Sequence, residues 1–164
     1  MIRKSSPTGP ALAGALVGAW RLVSWHIEYP ASGRLTEPFG PAPEGLILYT
    51  ADGHMSAAMQ RPARARFTRE NLAQVSDADK AAAFVSYLQY CGRWHVAGGD
   101  VHHLIELAMN PNLLGTRQVR GALLHGEELE LRASEPLEGE GAVRLHRILW
   151  RRARAHPTAE QGGA

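Results

Sequence analysis

Hydrophobic and polar residues alternate with a period of two along much of this chain. The alternation is clearest in residues 19–29, where Trp, Val, Ile and Tyr are typical of a β-strand. One face of this segment carries Trp20, Leu22, Ser24, His26 and Glu28. The other face carries Arg21, Val23, Trp25, Ile27 and Tyr29. Because both faces mix apolar and polar side chains, the alternation alone does not say which one is inside.

Seven further segments have strand character, and short turns separate most of them. They are residues 45–50, 54–60, 92–97, 101–109, 116–124, 127–133 and 143–152. Asp52-Gly53 is a tight-turn sequence, which predicts a hairpin between the segments on either side. About eight short strands joined in this way predict an all-β fold, an antiparallel up-and-down barrel.

The pattern changes to helical in one place, residues 77–90, so we expect one α-helix inserted in the barrel. Ser76, with Asp79 three residues later, resembles a capping box. The ends of the chain are rich in Ala, Gly and Pro and show no periodicity. We therefore expect flexible tails over 1–13 and 154–164 and one barrel domain over 14–153.

The composition is that of an ordinary globular domain. With 164 residues and a formal charge of +2, the chain gives no basis for a nucleic-acid partner. Cys91 is the single cysteine, so no internal disulfide can form, which fits the cytoplasm. No apolar run reaches the ~18 residues of a membrane span, so no membrane partner is expected.

Several stretches of the sequence resemble the lipocalin-like domain family of bacteria and fungi. Gly18-Ala19-Trp20 is similar to the Gly-x-Trp of lipocalins, within LVGAWRLVS. The other matching stretches are FGPAPEGLILYTADGHMSA, AAAFVSYLQYCGRW, VHHLIELAMNPNLLGTRQVR and the closing LWRR. The resemblance implies a barrel of about eight to ten strands around a small-molecule cavity. It does not imply one reaction, because similar barrels include both binders and a few cyclases or isomerases.

The resemblance also implies an orientation for the first strand. In lipocalins the tryptophan of Gly-x-Trp closes one end of the barrel, under an arginine of the last strand, here Arg151 or Arg152. If Trp20 points inward, regular alternation also turns Ser24, His26 and Glu28 inward. Buried polar groups need partners, so such a face indicates a cavity that holds water or a ligand.

Residues with suitable chemistry on the predicted strands are the candidate site. His26 and Glu28 share a face, as a general acid–base pair would, and Arg120 could hold a carboxylate or enolate. The solvent-facing alternative stays open for all three. Candidates for ligand contact are Trp20, Leu22, Ser24, Tyr49, His54, Ser56, Met59, Tyr90, His103, Glu106 and Gln118.

The neighbours His102 and His103 point to opposite faces of a strand. If His102 points inward, Glu106 does too, and if His103 does, Ile105 and Leu107 follow. The sequence leaves this phase open.

Two functions are consistent with these observations. The first is binding of a mostly apolar small molecule inside the barrel. The alternative is a cofactor-free cyclase or isomerase of natural-product biosynthesis, in which confinement orients a flexible substrate. No metal-binding motif is present, and we expect no cofactor, although one axial histidine would suffice for haem. A homodimer is compatible with the resemblance.

Overall fold

The computed structural model describes residues 6–137 and 142–155. Within these residues the chain forms two α-helices, α1 (Gly9–Leu16) and α2 (Asp77–Val85). It also forms nine strands, β1 (Gly18–Tyr29), β2 (Arg34–Thr36), β3 (Glu44–Tyr49), β4 (His54–Gln60), β5 (Tyr87–Ala97), β6 (Asp100–Ala108), β7 (Arg117–His125), β8 (Glu128–Pro136) and β9 (Val143–Arg152). Single 3₁₀ turns cover Leu72–Gln74 and Pro111–Leu113.

The strands form one antiparallel sheet that closes on itself. From β3 to β9 each strand pairs with the next, and β1 pairs with both β3 and β9. The short strand β2 pairs only with the second half of β1. Eight strands therefore close an up-and-down barrel, as the strand spacing predicted, and closure leaves these eight without free edges.

The predicted hairpin and helix cap are both present. β3 and β4 pair in register from Glu44 opposite Gln60 to Tyr49 opposite Met55, and Gly53 in the turn has a positive φ of 89°. The Ser76 side chain accepts a hydrogen bond from the Asp79 backbone N–H at 3.1 Å. This contact satisfies one of the free N–H groups at the start of α2.

One end of the barrel is sealed by α1 and the side chains beneath it. Leu12, Leu16 and Trp20 are fully buried there. The Trp20 indole donates to the Leu16 carbonyl at 2.9 Å, and the Arg152 guanidinium lies 4.1 Å above the Trp20 ring. Arg152 is thus the arginine that packs on the tryptophan. A cation–π contact of this kind contributes about 1 kcal/mol.

The helical segments differ from the sequence prediction in two places. Residues 9–13, expected to be a flexible tail, belong to α1, which buries Leu12 and Leu16 on the barrel. The second helix ends at Val85, not near residue 90, because Tyr87 and Leu88 pair with β4. Cross-strand pairing outweighs the local helix propensity there. Residues 1–5 and 156–164 of the expected tails lie outside the described residues.

The core fills the sealed half of the barrel. Its fully buried members include Ile47, Tyr49, Val101, Leu129 and Trp150, which alternate along their strands with exposed residues. Among the described residues, no helix combines the length and the apolar character needed to cross a bilayer.

Candidate functional site

A cavity of about 560 Å³ lies at the end of the barrel opposite α1. Its apolar wall includes Trp25, Ile27, Met59, Leu88, Leu113 and Ile148. Its polar lining includes Tyr90, Gln118, Arg120, Glu135, Arg144 and His146. An apolar wall that faces convergent polar groups, at this volume, is typical of a small-molecule site.

A bulge in β1 decides which side chains of that strand reach the cavity. Leu22 pairs with Trp150 and Ser24 pairs with Leu149, so Val23 is an extra residue between them. An extra residue shifts the alternation by one position. Trp20 and Leu22 point inward before Val23, and beyond it the odd-numbered residues take over the inner face.

The cavity wall contains a hydrogen-bonded chain that runs from Trp25 to Arg144. The Trp25 indole donates to Nδ1 of His146 at 3.2 Å, so the proton of a neutral His146 is on Nε2, 3.0 Å from Glu135 Oε2. Arg144 also contacts Glu135, at 2.8 Å. The hydrogen bond from Arg144 holds the pKa of Glu135 below its usual value, while burial lowers the pKa of His146.

A second polar chain, Tyr49–His103–Tyr90, lies at the floor of the cavity. The Tyr49 hydroxyl is 2.9 Å from His103 Nε2, and the Tyr90 hydroxyl is 3.1 Å from Nδ1. His103 is completely buried, and of the three only Tyr90 lines the cavity. Burial, with a smaller contribution from Arg120, lowers the pKa of His103 to about 3, so the imidazole is neutral at pH 7. Burial raises the pKa of both tyrosines, which keep their protons.

Arg120 points into the cavity beside this floor. It donates to the Gln118 side-chain oxygen at 3.2 Å and to the Val119 carbonyl at 3.1 Å. Within the part of the chain that the structure describes, Arg120 forms no ion pair with a carboxylate. Its positive charge opposes the ionisation of His103 and favours that of Tyr90.

Comparison with known proteins agrees with the barrel fold. The model of the lipocalin-like domain family matches residues 17–153, which span the whole barrel. The chain belongs to the lipocalin-like domain family. It is 30% identical over 106 residues to the 4'-hydroxy-3'-methoxypropiophenone carrier protein ppsC of Aspergillus oryzae (strain ATCC 42149 / RIB 40). That match covers 60% of this chain and 96% of the relative. No solved structure matches the chain.

The β1 bulge corrects the predicted orientation of Ser24, His26 and Glu28. In this lipocalin-like barrel they lie on the outer surface, in a depression of about 300 Å³ that Leu35 and Arg147 also line. Glu28 is ion-paired with Arg147 at 3.0 Å. The three residues therefore share a face, as predicted, but it is the outer face, and Trp25 and Ile27 line the cavity instead.

The candidates on β4 divide between the two faces of the barrel. Met59 is buried and lines the cavity, whereas His54 and Ser56 face outward. His54 is largely exposed and lies 3.3 Å from Asp52. Both side chains therefore point away from the interior of the barrel. The expectation that His54 and Ser56 contact a ligand inside the barrel is wrong.

The two candidates on β6 point to opposite faces. His103 points inward, together with Val101 and Ile105. Glu106 is on the outside, where it pairs with Arg93 at 2.7 Å. A second bulge lies here, since Gly92 pairs with Ile105 while Cys91 pairs with Leu107. Because of this bulge Leu107 is 65% exposed and does not follow His103 inward.

The remaining candidates all point to the inside, at different depths. Tyr90, Gln118 and Arg120 line or border the cavity, Tyr49 lies beneath its floor, and Trp20 and Leu22 belong to the sealed half. Their roles toward a ligand stay predictions.

Five polar lining residues were missed in the sequence analysis, namely Asn110, Ser134, Glu135, Arg144 and His146. The signal for the last two was present, because they are in phase with Ile148 and Trp150 on one face of β9. The sequence did not indicate that Trp25 and Ile27 point into the cavity, because a valine at a bulge position looks like any other strand residue.

Proposed function

We propose that this lipocalin-like protein binds a mostly apolar small molecule in the barrel cavity and carries it unchanged. The observation that carries the proposal is the cavity itself, which combines an apolar wall with polar side chains grouped mainly on β7, β8 and β9. Burial of a ligand against Trp25, Ile27 and Met59 would supply most of the binding free energy, at about 25 cal/mol per Å² of apolar surface.

The similarity to a carrier protein supports the same class of ligand. The name of the relative describes an aryl ketone with one phenol and one methoxy group. We propose that this chain also carries an aryl ketone or a molecule of similar size. Such a ligand has an apolar ring for the cavity wall and few oxygens to be satisfied by the polar groups.

Carriage of this kind needs no cofactor, and the histidines next to the cavity are poorly suited to haem. Both ring nitrogens of His103 face tyrosine hydroxyls. Both ring nitrogens of His146 are also engaged, by Trp25 and Glu135. Axial ligation of an iron would break one of these buried hydrogen bonds, which is unfavourable.

A cofactor-free cyclase or isomerase is the second candidate, and Arg120 is the observation that favours it. A cation in a poorly hydrated cavity can stabilise negative charge that develops on a carbonyl oxygen. His26 and Glu28 do not contribute, because their side chains lie on the outer face. Recovery of a bound ligand with its structure unchanged supports the carrier, whereas recovery of a ring-closed or isomerised product supports the enzyme.

The test is calorimetric titration with 4'-hydroxy-3'-methoxypropiophenone. We expect one molecule to bind per chain, and Met59→Trp to weaken binding by about tenfold or more, because the larger side chain fills the cavity. Ser56→Trp is the matched control, since it adds the same side chain to the outer face of the same strand. His26→Ala should also leave the affinity unchanged.

Two results contradict the proposal. If the ketone does not bind to the wild-type protein, the proposal that the protein carries this class of ligand is wrong. Loss of binding in His26→Ala together with full binding in Met59→Trp places the ligand in the outer depression.

A further inference from the structure

The buried chain Tyr49–His103–Tyr90 has a defined direction. Among the described residues, His103 Nε2 is the one hydrogen-bond partner of the Tyr49 hydroxyl. Tyr49 is only 2% exposed, and a buried hydroxyl proton without an acceptor costs roughly 1–3 kcal/mol. Tyr49 must therefore donate its proton to Nε2.

The direction of the first hydrogen bond fixes the next two. With Nε2 acting as an acceptor, a neutral His103 carries its proton on Nδ1. That N–H donates to the Tyr90 oxygen, which is 3.1 Å away. Tyr90 then accepts from the histidine, and its own hydroxyl proton is not used in the chain. Since Tyr90 is the member that lines the cavity, this proton is available to a ligand.

Arg120 adds donors at the same place. The guanidinium has five N–H groups, of which the Gln118 oxygen and the Val119 carbonyl each accept one. Burial raises the pKa of Tyr90, and the positive charge of Arg120 opposes that rise. The floor of the cavity therefore presents hydrogen-bond donors from two side chains.

We propose that Tyr90 and Arg120 form a donor subsite that takes the carbonyl oxygen of a ketone ligand, with Tyr49 and His103 as positioning residues. The inference rests on the proposed function, because it concerns one end of the same ligand. A carbonyl oxygen has two lone pairs and no proton, so it can accept from both donors at once. A ligand with only hydrocarbon at this end would leave both donors unsatisfied.

The first test needs no ligand. A two-bond ¹H–¹⁵N correlation spectrum of protein labelled with ¹⁵N-histidine reports which nitrogen of His103 is protonated, and His103→Gln assigns the signal. We expect protonation on Nδ1 at pH 7. Protonation on Nε2 would overturn the proposed direction of the chain.

The second test compares propiophenone with propylbenzene, which has a similar shape but lacks the carbonyl. We expect the wild-type protein to prefer the ketone by about tenfold, the equivalent of one hydrogen bond of about 1.4 kcal/mol. Tyr90→Phe should remove most of this preference, and the ¹³C carbonyl signal of bound propiophenone should return toward its value in an apolar solvent. Tyr87→Phe, a change on the outer face of the same strand, is the matched control.

The outcomes separate the two proposals. Equal affinity for both probes overturns the donor subsite and leaves carriage in place. An undiminished ketone preference in Tyr90→Phe also overturns the subsite. Binding of neither probe overturns both the subsite and the proposed function.

Discussion

His103 is the buried polar residue on which the floor of the cavity is organised. A histidine with no exposed surface and a neutral ring has to find two partners, and the two tyrosines provide them. With Nδ1 already protonated, the imidazole can take up a second proton only at Nε2, which would reverse the buried hydrogen bond from Tyr49. The low pKa of His103 is therefore a property of its packing, with Arg120 as a second cause.

This low pKa predicts that acid destabilises the protein through His103. The pKa is about 3 in the folded chain and ~6.5 in the unfolded chain, so between these values only the unfolded chain takes up the proton. The stability that His103 contributes is thus complete above pH 6.5 and is lost as the pH falls. The loss is at most about 1.4 kcal/mol per pH unit.

Urea unfolding at pH 7 and pH 5 measures the effect. We expect the wild-type protein to lose about 2 kcal/mol more over this interval than His103→Gln. The control is Ser56→Ala, a change on the outer face of β4 that removes no titratable group and should keep the wild-type dependence. His146 is present in every variant, so its own lowered pKa cancels in the comparison. An identical pH dependence of wild type and His103→Gln would contradict the burial argument.

At the scale of the strands, two bulges determine which residues meet a ligand. Val23 turns Trp25 and Ile27 into the cavity. The bulge at Gly92 keeps His103 and Ile105 inside while it releases Leu107 to solvent. Bulges of this kind re-aim side chains without interrupting the barrel.

The close packing at the second bulge predicts that Gly92→Ala lowers the stability of the protein. An added Cβ would lie 2.0 Å from the Leu104 carbonyl oxygen and 2.9 Å from the Glu106 nitrogen, both of them backbone atoms. We expect a loss of about 3 kcal/mol or more in the free energy of unfolding, because neither atom can move without breaking the strand pairing. Denaturant unfolding checks this value.

Gly121→Ala is the matched control for that substitution. It lies in β7, and the nearest atom to an added Cβ is 3.8 Å away, which is ordinary contact. We expect a change within about 1 kcal/mol. Equal effects at both glycines would mean that the close approach of β6 to Gly92 is not a constraint.

The elements also show how far the sequence could predict this protein. The period-two pattern identified β4 and β9, and Asp52-Gly53 identified the hairpin, because these signals are local. The end of α2 was missed since the pairing of Tyr87 with Gln60 is a long-range contact. The N-terminal helix was missed because its Ala, Gly and Pro composition resembles a tail, and only packing on the barrel makes it ordered.

The residues of the candidate site also divide into those that a local sequence pattern places correctly and those that it does not. The sequence placed Gln118 and Arg120 on one face and left open whether that face meets solvent, and in the structure both line the cavity. His26 and Glu28 were assigned to the inner face by extending the phase of Trp20, and the bulge at Val23 reverses that phase. A valine carries no sequence signature of a bulge, so the error could not have been avoided from one sequence.

The whole molecule is a barrel with two unlike ends. At one end α1, Trp20 and Arg152 close the interior, and the backbone N–H of Gly9 donates to the Gly98 carbonyl at 2.7 Å to hold the helix in place. At the other end the interior widens into the cavity, with the Tyr49–His103–Tyr90 chain between the two halves. A ligand that enters this barrel should therefore affect only one half of it.

The most direct measurement is the indole N–H region of a ¹H–¹⁵N spectrum during titration with 4'-hydroxy-3'-methoxypropiophenone. Trp25 lines the cavity and donates to His146, whereas Trp20 is buried under Arg152 at the sealed end. We predict a saturable shift of the Trp25 signal and an unchanged Trp20 signal. A titration that leaves Trp25 unmoved, or that moves only tryptophans outside the cavity, would contradict the account.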